Sequence, residues 1–369
     1  MPAPAFFNER PRRHLLAIDG GGIRGVIALE VLIAIEDRLR EQLGKGPDFV
    51  LADHFDYVAG TSTGAIIAAA LSLGFSARKV REFYLEQGRR IFTATGWWQR
   101  LYSKYTHRHL EVALKEAFGA DTTLGSERLR TLLLVVVRNA TTDSPWPLSN
   151  APGARYNDRA LPDCNLDIPL WQLVRASTAA PTFFPAEEVV LGGRRSVFQD
   201  GAITTFNNPA WQTFVMATAA PYGVHFPTGE NRLHLVSVGT GACTLDGSRL
   251  RAQSQTLLHH ASTVPVALMN ASAIQQDMVC RLVGRCHLGA PLDGEVGDLI
   301  EQPVRAVPPQ FAYWRFNPDL SPQGLAALGL GHINSHAVQA LDGIEAIPAM
   351  REVGARYAAS VIDRLAVTA

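Results

Sequence analysis

Three short segments of the chain carry the residue types that acyl-transfer chemistry requires. The first, Gly60-Thr61-Ser62-Thr63-Gly64, fits the pattern G-x-S-x-G, in which a serine lies on a strained strand-to-helix turn. Such a turn exposes the hydroxyl, and the helix N-terminus after it favours negative charge. An N-cap serine in a tight turn would show the same five residues, so the motif alone leaves both interpretations open. We predict that Ser62 is a nucleophile and that Gly60 and Gly64 support its turn.

The second segment is a glycine run, Gly20-Gly21-Gly22-Ile23-Arg24-Gly25, which fits G-x-G-x-x-G. A dinucleotide-binding turn shares this pattern, but it also requires an acidic residue about 20 residues later, at the end of a second strand. The acidic residues near that position fit poorly. The alternative is that unshielded amides at a helix N-terminus hold an oxyanion. We therefore predict that Arg24 fixes the loop or meets a phosphate, and that the oxyanion hole is formed by Gly20, Gly21 and Gly22.

The third segment, Asp200-Gly201-Ala202, supplies a candidate base for the serine. An acidic residue ends a short strand here and precedes a tight glycine turn. A carboxylate within about 3 Å of a serine hydroxyl can accept its proton directly. The alternative is an aspartate that only caps the turn. None of the 11 histidines has a context that singles it out, although the role of base stays open for His225, His234 and His287.

In order and context, the three segments resemble the motifs of the patatin-like phospholipase family. Ala176 to Pro185 resembles the family stretch before the catalytic aspartate, and two further landmarks are found at Asn207-Asn208-Pro209 and at Ser237 to Gly241. The resemblance extends from Arg13 to Gly241. Asp53 to Gly64 is similar to bacterial members, including phospholipase effectors of cyclic-nucleotide antiphage signalling, although the sequence shows no regulatory ligand site.

The resemblance implies a Ser–Asp dyad on a three-layer α/β/α fold with a mostly parallel central sheet. Ser62 would attack an ester carbonyl of a phospholipid or other acyl lipid while Asp200 accepts its proton. The amides of the glycine run would hold the oxyanion, so neither a metal nor a cofactor is required. One departure is Ala202, where many members have glycine. The motifs would be supported by Arg24, Gly25, Gly60, Gly64 and Gly201.

Strands and helices alternate around these motifs. Apolar runs predict buried strands at residues 14–18, 55–59, 132–137 and 233–238. A hairpin is predicted at residues 188–199 and a long loop at residues 143–166. Alternating strands and helices imply a parallel sheet that is covered on both faces. We predict a catalytic region over residues 13–241 and a mostly helical region over residues 242–369, packed on the same domain.

The composition argues against several function classes. Basic and acidic residues number 34 each, so the net charge of +0 creates no field that would attract a nucleic acid polymer or an anionic membrane. Residues 1–13 lack the apolar core of a signal peptide, and the apolar run at residues 65–73 is shorter than the roughly 20 residues of a membrane span. We expect a soluble, cytoplasmic protein with reduced thiols. A metal site is not predicted, because the sequence spacing of Cys280, Cys286 and His287 does not fit that of zinc ligands.

Aromatic and basic residues are interleaved over residues 93–105. Such a mixture suits a membrane interface, but it also suits the core. The hypothesis is a peripheral membrane contact through Trp97, Trp98 and Tyr102. A carboxylesterase or thioesterase acting on soluble esters would use the same catalytic residues, and a non-enzymatic lipid-binding protein could share the scaffold. These alternatives stay open, as does a homo-oligomer.

Overall fold

A central sheet carries the residues that the motifs single out. The structure is a computed structural model that describes residues 10–91, 108–181, 183–242, 257–293, 295–300 and 308–365. Within these ranges the strands are β1 (Arg13–Ile18), β2 (Tyr57–Thr61), β3 (Leu132–Asn139), β4 (Ser144–Ser149), β5 (Glu187–Leu191), β6 (Arg194–Asp200), β7 (Leu233–Val238), β8 (Arg285–Leu288) and β9 (Ala312–Phe316). They form one sheet in the order β5-β6-β3-β2-β1-β7-β9-β8, and β4 also pairs with β3.

Helices cover the sheet. In the described part of the chain they are α1 (Gly25–Gln42), α2 (Thr63–Ser72), α3 (Ala77–Ile91), α4 (Arg108–Phe118), α5 (Leu170–Ser177), α6 (Ala210–Thr218), α7 (Leu257–Val283), α8 (Pro322–Ala327), α9 (Ser335–Gln339) and α10 (Ile347–Val361). None of the helices in these ranges is both long and apolar enough to cross a bilayer.

Alternate side chains of the strands belong to two separate cores. In β1, Leu16 and Ile18 lie in a large apolar cluster with side chains of α1, α2 and α10. Leu15 and Ala17 lie in a second cluster with side chains of α6. Parallel pairing joins β3, β2, β1, β7, β9 and β8, whereas β4, β5 and β6 pair antiparallel. The predicted three-layer α/β/α fold with a mostly parallel sheet is therefore confirmed.

The register of the sheet brings two strand ends together. β2 runs parallel to β3, and its last residue, Thr61, pairs with Val136. β6 runs antiparallel to β3, and its last residue, Asp200, pairs with Val137. The carboxyl ends of β2 and β6 therefore lie at neighbouring positions along β3. This places Ser62 beside Asp200, although the two residues are 138 positions apart in the chain.

The long loop predicted for residues 143–166 was wrong in its first part, because β4 lies there. Prolines at 145 and 147 discourage a strand assignment, since proline cannot donate to a ladder. In the described residues β4 pairs with β3 alone, so a proline nitrogen that faces away from β3 removes no ladder bond.

The region after residue 242 contains strands as well as the predicted helices. β9 pairs in parallel with β7, and β8 pairs with β9, so both strands extend the central sheet. All five residues of β9 are buried. An arginine at the fourth of its five positions, Arg315, interrupts the apolar run that would have predicted this strand.

Candidate active site

Ser62 lies at the turn between β2 and α2, and its backbone has a conformation that residues other than glycine rarely adopt. Its φ is 54° and its ψ is −122°. The flanking glycines are required because the neighbouring backbone leaves no room for a side chain. A Cβ at Gly60 would lie 2.0 Å from the carbonyl oxygen of Gly64, and a Cβ at Gly64 would lie 2.2 Å from the carbonyl oxygen of Ile18. This is the strained strand-to-helix turn that presents a nucleophilic serine in hydrolases.

Asp200 contacts the Ser62 hydroxyl directly. The hydroxyl donates to Oδ2 of Asp200 at 2.6 Å, and Oδ1 accepts the backbone N–H of Ala202 at 2.8 Å. Burial raises the pKa of Asp200 to about 7. The two hydrogen bonds and the charge of Arg175 lower this pKa, but by less than burial raises it. A base with a pKa near neutrality is strong enough to take a proton and is still ionised at ordinary pH.

The backbone of Ser62 is held by Ser177, a residue that the sequence did not single out for this role. The Ser62 N–H donates to Oγ of Ser177 at 2.9 Å, and that hydroxyl donates to the carbonyl oxygen of Val136 at 2.6 Å. Ser177 is the last residue of α5 and is fully buried. It belongs to the Ala176 to Pro185 stretch, so the family resemblance was the available clue.

The glycine run forms a loop between β1 and α1 beside Ser62. The Gly20 N–H already donates to the carbonyl oxygen of Asn207 at 3.1 Å. Among the described residues the amides of Gly21 and Gly22 make no hydrogen bond, and both residues line the same cavity as Ser62. Gly22 has φ +60°, which permits the turn. Because the Gly20 amide is occupied, only the amides of Gly21 and Gly22 remain as candidate oxyanion donors among the three predicted.

Arg24 lies under this loop instead of facing the cavity. Its side chain is buried, and its Nε donates to the carbonyl oxygen of Gly21 at 3.4 Å. Of the two predicted roles, the geometry fits fixing the loop, since a buried guanidinium cannot meet a phosphate. Gly25 packs against Thr63 of the serine turn, and Gly201 packs against the carbonyl oxygen of Val136.

The cavity beside the dyad has a volume of about 580 Å³. Besides Ser62 and Asp200, it is lined mostly by apolar side chains from α2, α3, α4, α7 and the segment after α5. An uncharged, elongated chain would meet favourable contacts along this wall. Members of the apolar wall are Ile66, Phe83, Tyr84, Leu110, Phe183 and Phe184.

In the described part of the chain, no histidine lines this cavity. His234 is packed against His14 and Trp314, near the amino-terminal ends of β1 and β7 and so at the opposite end of the sheet from Ser62. His287 stacks on Trp314, with its Nε2 lying 3.5 Å from Glu230. His225 also lies away from the cavity wall. The arrangement therefore brings a carboxylate, and none of the three candidate histidines, to the serine.

Two other predictions concern residues outside the dyad. Cys280 and Cys286 are buried in the apolar cluster that contains α6, and among the described residues no group of three or more His, Cys, Asp or Glu side chains is placed to hold a metal ion. The proposed membrane residues, Trp97, Trp98 and Tyr102, lie outside the described residues.

Comparison with known proteins agrees with this geometry. The sequence profile of the patatin-like phospholipase family matches residues 16–214, which include the serine turn, the glycine loop and Asp200. The chain belongs to the patatin-like phospholipase family. The C-terminal residues that complete the sheet, from β7 onward, lie beyond the matched range.

Several curated relatives of this family are similar to the chain. Patatin-17 of Solanum cardiophyllum is 32% identical, over 62% of this chain and 60% of its own. An intracellular phospholipase A2 of Caenorhabditis elegans is 32% identical, over 55% of this chain and 16% of its own. The 85/88 kDa calcium-independent phospholipase A2 of Rattus norvegicus is 31% identical, over 54% and 23%. The chain thus spans less than two thirds of the length of each of these relatives.

Proposed function

We propose that this protein hydrolyses fatty acyl esters of membrane lipids through a Ser62–Asp200 dyad. The observation that carries the proposal is the 2.6 Å hydrogen bond from the Ser62 hydroxyl to Asp200 at the wall of an apolar cavity. Membership of the patatin-like phospholipase family supports it, as do relatives named phospholipase A2.

The first half of the reaction acylates the enzyme. Asp200 accepts the proton of Ser62 as Oγ attacks the ester carbonyl carbon. The carbonyl oxygen becomes an oxyanion, which the amides of Gly21 and Gly22 stabilise by hydrogen bonding. The C–O bond to the alcohol then breaks, and the leaving oxygen takes the proton from Asp200.

The second half releases the acyl chain. Asp200, ionised again, takes a proton from a water molecule that attacks the acyl-enzyme carbonyl. The same two amides stabilise the second oxyanion. Its collapse returns the proton to Ser62 Oγ and frees a fatty acid. A single carboxylate therefore acts as base and acid in both halves, which explains why the site needs no histidine.

Product analysis by mass spectrometry tests this function. Wild type is incubated with a panel of phospholipids, lysolipids, acylglycerols and a short soluble ester, alongside Ser62→Ala and Asp200→Asn. We expect wild type to release fatty acids, with losses of several orders of magnitude in both variants. Ser72→Ala is the matched control and should leave turnover intact, since Ser72 is a buried serine at the far end of α2 and does not line the cavity.

Other outcomes identify the alternatives. Turnover of only the short ester would indicate a soluble carboxylesterase. Binding of lipids without any product would indicate a non-enzymatic lipid-binding protein. Undiminished turnover by Ser62→Ala would contradict the dyad itself.

We also propose peripheral contact with the lipid surface at the rim of the cavity. Val264 and Leu268 of α7 line the cavity, yet they are 45% and 63% exposed. Exposed aliphatic side chains beside an apolar cavity are suited to insert among lipid chains. A bilayer at this rim would pass an acyl chain into the cavity without exposing it to water.

Vesicle binding tests this contact. Leu268→Ser is expected to weaken sedimentation with phosphatidylcholine vesicles and to slow their hydrolysis, while turnover of a short soluble ester is retained. Val190→Ser is the control, because Val190 is 55% exposed on β5 and lies outside the cavity wall. Equal vesicle binding by both variants would contradict the contact.

A further inference from the structure

A buried ion pair joins the glycine loop to the C-terminal strand β9. Nη1 of Arg315 donates to Oδ1 of Asp19 at 2.8 Å, and Nη2 donates to Oδ2 at 2.5 Å. Both residues are 3% exposed. Asp19 directly precedes the glycine loop, so its position determines where Gly20, Gly21 and Gly22 begin.

The guanidinium reaches Asp19 across an intervening strand. In the sheet, β7 lies between β1 and β9, and Ser237 of β7 pairs with Ala17 on one side and Arg315 on the other. The small serine leaves room for the arginine to pass, and its hydroxyl accepts from Nη1 at 2.8 Å. The arginine is thereby held in register with the end of β1.

The other side of the Arg315 guanidinium faces a second carboxylate. Oδ2 of Asp277, on α7, lies 4.0 Å from Nε of Arg315. Asp277 itself forms a two-point ion pair with Arg281, at 2.8 and 2.6 Å, and accepts from the hydroxyl of Tyr313 at 3.1 Å. The charges alternate from Asp19 to Arg281, so the buried network is neutral as a whole.

A second tie from the C-terminal region reaches the other end of the loop. The Ile23 N–H donates to the carbonyl oxygen of Leu341 at 2.8 Å. The two amides without a partner, those of Gly21 and Gly22, therefore lie between two anchors. One anchor is the ion pair between Asp19 and Arg315, and the other is the hydrogen bond from the Ile23 N–H to Leu341.

We propose that Arg315 is a positioning residue for catalysis: by fixing Asp19, it holds the Gly21 and Gly22 amides where the oxyanion forms. The proposal rests on the proposed esterase function. A buried pair of this kind contributes little net stability compared with apolar residues, so orientation of the loop is the role that its geometry fits best. It also gives the region beyond residue 242 a part in the reaction.

Steady-state kinetics of Arg315→Lys and Asp19→Asn on a soluble ester test the proposal. Lysine keeps the charge but cannot form the two-point contact, and asparagine keeps the shape but removes the charge. Turnover is normalised to the fraction of enzyme labelled by a fluorophosphonate at completion, so that unfolded protein is not counted. We expect kcat per labelled site to fall on the order of 100-fold, because small misplacement of an oxyanion donor has effects of that size.

Two further measurements, KM of each variant and the kcat loss of the double variant, distinguish an effect on loop position from an effect on substrate binding. We expect KM to change by less than about threefold, because the loop acts on the oxyanion of the transition state. Asp19→Asn/Arg315→Lys should lose little more than either single variant, since both remove one interaction. Additive losses would overturn the proposal.

Arg13→Lys is the matched control. Arg13 is also buried and forms an ion pair with Asp56 at 3.0 Å, but it lies at the opposite end of β1. The control should lower the melting temperature and keep kcat per labelled site. If the Arg315 and Asp19 variants behave in the same way, the pair is merely structural and the proposal is overturned. A wild type that neither reacts with the probe nor hydrolyses any ester would instead overturn the proposed function, and the positioning role with it.

Discussion

The two proposed reacting residues, Ser62 and Asp200, have unusual local environments. Ser62 has positive φ, a conformation that carries a strain of about 1–3 kcal/mol in residues other than glycine. Asp200 is a buried carboxyl, and burial raises its pKa by more than its two hydrogen bonds and the charge of Arg175 lower it. Both features are unfavourable for stability and useful for catalysis, which is typical of active sites.

The pKa of Asp200 leads to a specific pH profile. Burial raises this pKa to about 7, and only the ionised carboxylate can accept the proton of Ser62. We expect kcat/KM on a short soluble ester to rise about tenfold per pH unit below that value and to level off above it. The measurement is kcat/KM from about pH 5 to 9 at constant ionic strength. A profile that is flat across this range would show that another group acts as base.

The sequence singled out the two proposed reacting residues, which the structure brings into contact, but not the residues that hold them. Ser62 and Asp200 lie in short patterns whose chemistry can be recognised locally. Ser177 and Arg315 act through contacts with distant segments, and the register of the sheet determines those contacts. The occupied Gly20 amide is a similar case, because its partner, Asn207, comes from a distant part of the chain.

At the scale of elements, the site depends on where strands end. β2 and β6 come from distant parts of the sequence, and their carboxyl ends meet along β3. Strong apolar periodicity predicted β1, β2, β3 and β7, together with the helices after the first two. Weaker patterns failed: prolines hid β4, and Arg315 interrupted β9. The residues that disagree with a simple pattern are thus prolines of a strand that pairs on one side only, and an arginine that contacts Asp19 beside the glycine loop.

Gly88 of α3 lines the cavity in which we propose that the acyl chain binds, and this leads to a prediction about chain length. The nearest described atom to a Cβ at this position would be Cδ1 of Ile23, at 3.4 Å, so a larger side chain must extend into the cavity. Each acyl methylene displaced from apolar surroundings forfeits about 0.8 kcal/mol. Gly88→Leu should lower kcat/KM for a long-chain ester by at least about tenfold.

A series of esters of increasing acyl length provides the measurement. A two-carbon ester should be hydrolysed by Gly88→Leu at nearly the wild-type rate. Gly46→Leu is the control, because Gly46 is exposed and has open space around it. Equal losses at every chain length would show that Gly88 does not shape the acyl site.

At the scale of the whole molecule, the two ends of the sheet have different roles. The carboxyl ends of the strands carry the dyad and the glycine loop. Near the opposite end, three histidine rings lie against one another: His14 is 4.0 Å from His54 and 5.0 Å from His234, measured between ring centroids. In this histidine cluster, His54 and His234 are buried and His14 is partly buried, and none of the three lines the cavity beside Ser62. This placement indicates a role in the fold.

This histidine cluster should make the protein sensitive to acid. Burial lowers the pKa of His54 to about 3 and that of His234 to about 4. Below the ordinary value near 6.5 the unfolded chain takes up protons that the folded chain refuses, so each histidine removes up to about 1.4 kcal/mol of stability per pH unit. Asp200, whose folded pKa is raised, acts in the opposite direction over part of this range.

The variant His54→Gln separates the histidine contribution to acid sensitivity from the contribution of the carboxyl groups. Urea denaturation of wild type and His54→Gln at about pH 7 and 5 gives the change in unfolding free energy for each. We expect wild type to lose more stability than His54→Gln on acidification, because it refuses one more proton. An equal loss in both proteins would mean that His54 is protonated in the folded state.

In the proposed reaction, Ser62 carries the acyl group during the hydrolysis of lipid esters. The most direct test is to mix the enzyme with a phospholipid, quench in acid within one turnover, and map peptides by mass spectrometry. We expect a peptide containing Ser62 that is heavier by one acyl group, that disappears as fatty acid is released, and that is absent from Ser62→Ala. An acyl group on another residue, or fatty acid release by Ser62→Ala at the wild-type rate, would contradict it.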